Sequence, residues 1–148
     1  MNKLSIINYQ LSGKVIQGDS FGKKLGFPTA NLDRRDFVRR KLKIKFGVYA
    51  GQAEFKIKNS RQQSPAAQAK GGQVKLKIYP AGIVIGPFDK KGLPKIEAHL
   101  IGFKGNLYGK KITIFLQKYL RPYKKFKNME ELKKQIKKDI QRIRKLVS

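Results

Sequence analysis

Residues 13–31 read Gly-Lys-Val-Ile-Gln-Gly-Asp-Ser-Phe-Gly-Lys-Lys-Leu-Gly-Phe-Pro-Thr-Ala-Asn, and the rest of the chain is best read outward from them. Gly18, Gly22 and Gly26 recur at four-residue spacing, so backbone N–H groups there can approach anionic oxygens with no Cβ in the way. Pro28 stiffens the exit of the segment. Thr29 offers a hydroxyl and Asn31 an amide carbonyl, hard oxygen ligands suited to a Mg²⁺ that also holds nucleotide phosphates. At positions i and i+2 of an extended segment, both point the same way. A segment holding Gly and Pro is ordinarily a surface loop, but here many positions are fixed together, from Gly13 and Val15 to Asn31. It is not a Walker loop: Gly18 to Gly22 is one residue short, and Lys24 stands where Ser or Thr should follow Lys23.

Around this stretch, apolar and β-branched runs bounded by turn residues fill the first four-fifths of the chain, which predicts an antiparallel β domain. Strands are expected over residues 9–17, 47–58, 74–87, 95–103 and 110–120, with helix only at the end. Asn106-Leu107-Tyr108-Gly109 reads as the turn of a hairpin joining the last two strands. Residues 18–42 form a connection too long for a compact domain unless it binds something, and the glycine pattern lies inside it. Residues 59–73 have almost no apolar bulk and read as a flexible hairpin tip. Over residues 128–147 the period changes: Met129, Leu132, Ile136, Ile140, Ile143 and Val147 recur along one helical face. Asn128 can cap this helix, with Glu131 three residues on as in a capping box.

With 148 residues, 40% of them hydrophobic, the chain is expected to form a single domain over residues 1–148. Its net charge of +26, from 35 basic and 9 acidic residues, suits an anionic substrate. The lysines are scattered rather than gathered in an arm, so composition bias explains them as well as a polyanion does. The absence of cysteine rules out disulfides, thiolate metal sites and a Cys nucleophile. No segment approaches the ~18 apolar residues of a membrane span, so a soluble, cytoplasmic protein without a membrane partner is expected.

Any general base must come from Asp19, Asp33, Asp36, Glu54, Asp89, Glu97, Glu130, Glu131 or Asp139. The last three fall on the helix and are expected to be exposed. In Ile96-Glu97-Ala98-His99-Leu100 the alternation puts Glu97 and His99 on one strand face and the apolar residues on the other. A Glu on a strand is usually a solvent-facing residue.

These features together resemble the ATP-dependent riboflavin kinases. The resemblance is carried by the Gly13–Asn31 pattern, by Phe46-Gly47-Val48-Tyr49-Ala50, by Ile96-Glu97-Ala98-His99-Leu100-Ile101-Gly102-Phe103, by Leu107-Tyr108-Gly109 and by Leu120-Arg121-Pro122 with Phe126. It implies a closed six-stranded antiparallel Greek-key β-barrel with a C-terminal helix, transferring the ATP γ-phosphoryl to riboflavin to give FMN and ADP. It further implies phosphate binding by Gly18, Gly22, Lys23, Gly26, Pro28 and Thr29, Mg²⁺ held by Thr29 and Asn31, Glu97 as catalytic base, His99 as its packing or hydrogen-bonding neighbour, and Arg121 bordering the flavin or the transferred phosphoryl. Family members commonly carry Arg where Lys23 stands, so the charge survives but the bidentate fork is lost. The stretch from Gly82 to Asp89 keeps Gly86 but lacks the family's Pro-Thr. Met1 and the short lead to Gly13 favour a stand-alone kinase over the kinase half of a bifunctional FAD synthetase, and a monomer is expected. The competing class is a basic barrel binding single-stranded nucleic acid, with Tyr49, Phe55, Tyr79 and Phe103 as stacking platforms.

Overall fold

A computed structural model describes residues 6–18, 26–58 and 74–147 of the chain. Six strands, β1 (Ile6–Ile16), β2 (Ala30–Leu32), β3 (Gly47–Lys58), β4 (Val74–Phe88), β5 (Pro94–Leu100) and β6 (Lys111–Arg121), are joined by helices α1 (Arg35–Arg39) and α2 (Met129–Leu146). All neighbours pair antiparallel, in the order β1-β2-β5-β4-β3-β6, and β6 returns to β1 to close a barrel. Alternation produces the interior: in β5, Ile96, Ala98 and Leu100 are buried while Lys95, Glu97 and His99 face outward. Ile83, Ile85, Ile114 and Leu116 are fully buried in the same core, each stabilising the fold by about 1.5–3 kcal/mol relative to exposure.

Closure of the barrel requires a close approach between β3 and β6. The ladder shifts register between Ala50 and Gly51, and a Cβ on Gly51 would lie 1.8 Å from the Phe115 carbonyl oxygen, so only glycine fits there.

Helix α2 covers part of the outside of the barrel. Its Ile143, with Val147 just past its end, joins Val48, Ala50, Ile101 and Leu120 in a second core, as the apolar periodicity predicts. The Asn128 side chain accepts the Glu131 N–H at 2.9 Å, capping the first turn. Asp139, expected to be exposed, is only 7% exposed; it lies against the barrel, where Arg121 pairs with it.

Three further expectations are corrected. The connection over residues 18–42 contains regular structure, the short strand β2 and the helix α1, so helix does not come only at the end. The segment after β5 is not a hairpin: β5 pairs with β2 and β4, and β6 with β1 and β3. A turn does form at Asn106, whose Oδ1 accepts the Tyr108 N–H at 2.8 Å, but it leads across to β1: the Gly109 N–H donates to the Val15 carbonyl and the Val15 N–H to the Lys110 carbonyl. Third, Tyr49 and Phe55 are 1% and 3% exposed, and Phe55, Tyr79 and Phe103 pack ring against ring at 5.3–5.9 Å. They form core, not stacking platforms. The β3–β4 ladder runs out to Lys58 opposite Val74; the hairpin tip expected at 59–73 lies outside the described residues. No helix among the described residues is long and apolar enough to cross a membrane.

Candidate active site

Strand β2 is three residues long because its flanks cannot extend it. Pro28 has no N–H to give a ladder, and at the other end the Asp33 N–H makes the last rung to β1, at the Lys14 carbonyl. Within β2, Val15 and Ile16 of β1 pair with Leu32 and Asn31, and Ala98 and Glu97 of β5 pair with Ala30 and Asn31. Asn31 and Glu97 therefore stand directly opposite each other, side chains on the same outer face. Gly18 closes over Asn31: a Cβ there would come within 2.2 Å of the carboxamide nitrogen.

Two cavities meet just before this strand, at Thr29. The first, about 580 Å³, is lined by Gly18, Pro28, Thr29, Asn31, Asn106 and Tyr108 among others. The second, about 640 Å³, lies between the outer face of β3–β5 and helix α2, and Thr29, Val84, Glu97, Arg121, Ile136 and Ile143 help to line it. Both volumes fall in the range that holds a substrate or cofactor. Thr29 belongs to both walls.

The structure thus brings together Gly18, Pro28, Thr29, Asn31 and Glu97. Gly22 and Lys23 lie outside the described residues. Gly26 adopts a positive φ of 85°, and a Cβ there would meet no described atom within 4 Å. Among the described residues no three His, Cys, Asp or Glu side chains gather as a metal site. Thr29 and Asn31 are instead two neutral oxygen donors on the wall of one cavity, which fits a Mg²⁺ that takes its remaining ligands from phosphate and water.

Arg121 lines the second cavity, but its guanidinium is already engaged: Nη2 donates to Asp139 Oδ2 at 2.8 Å and Nε to Oδ1 at 3.1 Å. Gln135 donates to the same carboxylate at 3.0 Å. Arg121 also lies 5.8 Å from the Phe126 ring centroid. Asp139 joins this wall; its signal in the sequence is an acid in the middle of the helix, apart from Glu130 and Glu131 in the first turn. His99 bonds away from the acid beside it, its Nδ1 lying 2.8 Å from the Pro28 carbonyl oxygen, while the Phe27 ring meets it edge-on at 5.8 Å.

The remaining acids near the site are occupied structurally. The Arg34 guanidinium hydrogen-bonded to Asp89 holds its carboxyl below the usual value, helped by the Leu93 and Lys91 N–H groups. Burial pushes the Asp36 carboxyl up, yet hydrogen bonds from the Ser12 N–H, Arg39 and Arg40 outweigh it and leave it lowered. Asp89 therefore terminates the altered stretch after Gly82 as an anchor, where Pro87 and Gly86 line the second cavity.

The barrel thus offers two ligand-sized cavities, with Thr29 in both walls, Asn31 in the first and Glu97 in the second. A model of the flavokinase family, described as riboflavin kinase, matches residues 6–147, and the chain belongs to that family. The bifunctional riboflavin kinase/FMN adenylyltransferase of Buchnera aphidicola subsp. Schizaphis graminum is 33% identical over 137 residues, covering 93% of this chain and 38% of the relative. Its namesake in Escherichia coli is 30% identical over 131 residues, covering 88% and 36%. The chain thus spans little more than a third of the length of these curated relatives. Among solved structures, riboflavin kinase from Trypanosoma brucei superposes with a TM-score of 0.68 at 25% identity, covering 95% of this chain and 80% of that one. A protein described as a macrolide-efflux protein from Streptococcus pneumoniae shares the fold, with a TM-score of 0.69 at 23% identity over 93% of this chain and 38% of that one.

Proposed function

We propose that this chain is a riboflavin kinase, transferring the ATP γ-phosphoryl to the riboflavin 5′-hydroxyl to give FMN and ADP. The observation that carries the reading is Thr29, set in the wall common to two ligand-sized cavities, with Glu97 directly across the ladder from Asn31. Two substrates held on either side of one short segment present their reacting ends at that segment.

The roles follow from the linings. The cavity floored by Gly18 and bordered by Asn106 and Tyr108 takes the nucleotide; amides of the glycine segment, with Lys23, hold its phosphates. The cavity under α2, walled by Val84, Ile136 and Ile143, takes the flat apolar flavin ring. Thr29 and Asn31 would hold Mg²⁺, which when bound neutralises phosphate charge. Glu97 accepts the proton of the attacking hydroxyl. Phosphoryl transfer asks little covalent work of a protein, so holding both substrates in line contributes most of the rate. As part of the same reading, the domain works as a monomer in the cytoplasm on these two small molecules.

A coupled assay with riboflavin, ATP and Mg²⁺ tests this directly: FMN should form, and chelation of the cation should stop it. No FMN under saturating substrates would overturn the proposal. A second reading, that the chain is the kinase half of a bifunctional enzyme, draws on the names of the relatives. The intact mass of the native polypeptide separates the two, since this chain alone has 16.9 kDa.

A further inference from the structure

We propose that His99 is a positioning residue, a side-chain rung that completes the β2–β5 ladder and fixes Thr29 for nucleotide binding. The inference rests on the kinase reading for its substrate and on the geometry for its mechanism.

The backbone ladder between β2 and β5 consists of Ala30 opposite Ala98 and Asn31 opposite Glu97. Continued by one step, Thr29 would stand opposite His99. That step is not made. Pro28 offers no N–H, and Thr29 precedes the strand. The backbone therefore leaves unpinned the residue that walls both cavities.

His99 supplies the missing tie across 71 residues of sequence, with Nδ1 2.8 Å from the Pro28 oxygen. A carbonyl oxygen carries no proton, so Nδ1 must be the donor. This fixes the tautomer of the neutral ring, with Nε2 bare. The Phe27 ring packs edge-on against the imidazole, an interplanar angle of 89°, so two consecutive residues before Thr29 are held by one side chain. Because His99 and Glu97 lie on one face of one strand, the tie sets the Thr29 oxygen at a constant offset from the carboxylate. The task of His99 is mechanical, and it leaves Glu97 as the base.

The chain contains one histidine, which makes the test clean. In the wild type, ¹⁵N NMR of the imidazole should show the Nδ1–H tautomer; an Nε2–H tautomer overturns the proposal. His99→Ala should weaken Mg·ADP binding, read by titration calorimetry, and raise the KM for Mg·ATP by about tenfold, the equivalent of one neutral hydrogen bond. Because His99 and Phe27 also line the second cavity, riboflavin affinity should fall as well, and nucleotide binding is the readout that decides. His99→Asn, whose Nδ2 can donate from nearly the same place, should restore nucleotide binding. Unchanged nucleotide binding in His99→Ala, failure of Asn to restore it, or a loss confined to riboflavin would each sink the idea. A wild type that binds Mg·ADP but does not phosphorylate riboflavin would overturn the functional reading while leaving the His99 test standing. A wild type that binds no Mg·nucleotide overturns both.

Discussion

Removing the Asp139 carboxylate should both loosen the fold and open the flavin-side cavity. In Asp139→Ala, Arg121 would keep a guanidinium whose side chain is 19% exposed with no counter-ion in place of three hydrogen bonds. Breaking a fully buried pair costs about 3–5 kcal/mol; partial exposure of Arg121 lets water replace some of the loss, giving about 2–3 kcal/mol here. For a chain of this size each kcal/mol moves Tm by roughly 2–4 °C, so the melting temperature should fall by about 5–10 °C. The same change frees the middle of α2 from β6, and riboflavin binding, followed by quenching of flavin fluorescence, should weaken. The double variant Arg121→Met/Asp139→Leu separates the two effects. Replacing both charges with apolar groups should return stability to within about 1 kcal/mol of wild type, while flavin affinity stays low because the guanidinium is gone. A single variant melting within about 0.5 kcal/mol of wild type, or a double variant no more stable than the single, would refute the reasoning.

Glu97→Gln should preserve riboflavin and nucleotide binding but lower the single-turnover rate, toward the lower part of the ~10²–10⁴-fold range for a general base, because a loose transition state needs little deprotonation; an unchanged rate removes Glu97 from the mechanism. Thr29→Ala should raise the Mg²⁺ and ATP requirements together, and Gly18→Ala, whose Cβ would displace the Asn31 carboxamide, should raise the Mg²⁺ requirement alone; steady-state titrations of each decide this. Asp89, with its carboxyl held below the usual value by Arg34, contributes stability that is present above its unfolded value and lost as pH falls toward the folded one. Urea melts of wild type and Asp89→Asn should therefore differ by a constant amount above about pH 5 and converge below about pH 4.

The long strands were legible because alternation runs on for many residues: β3 begins and ends where the apolar run does, and β4 extends the expected span by one residue. Strand β2 and helix α1 were not, since three and five residues carry no period, and α1 is mostly charged. The supposed hairpin after β5 failed because adjacency in sequence was taken for adjacency in the sheet. The aromatic platforms failed on phase: Tyr49, Gly51, Ala53 and Phe55 share one parity and all turn inward. For the candidate site, Thr29, Asn31 and Glu97 are expected from their sequence motifs and lie around one short segment, but Asp139 and the Pro28–His99 bond link segments far apart in the chain. No local pattern reports them.

The barrel is sealed by the same short segment on which the proposed site is built. Among the described residues β2 makes two residue pairs to each neighbour, which makes it the weakest stave of the barrel; its departure would leave the backbones of β1 and β5 open to another chain. Occupancy of the two cavities should then act as a hoop: each ligand gripping Thr29 or Asn31 stabilises the closed form by mass action. Substrate supply would thereby govern the survival of the protein as well as its turnover, and preparations stripped of nucleotide and flavin should be the first to aggregate.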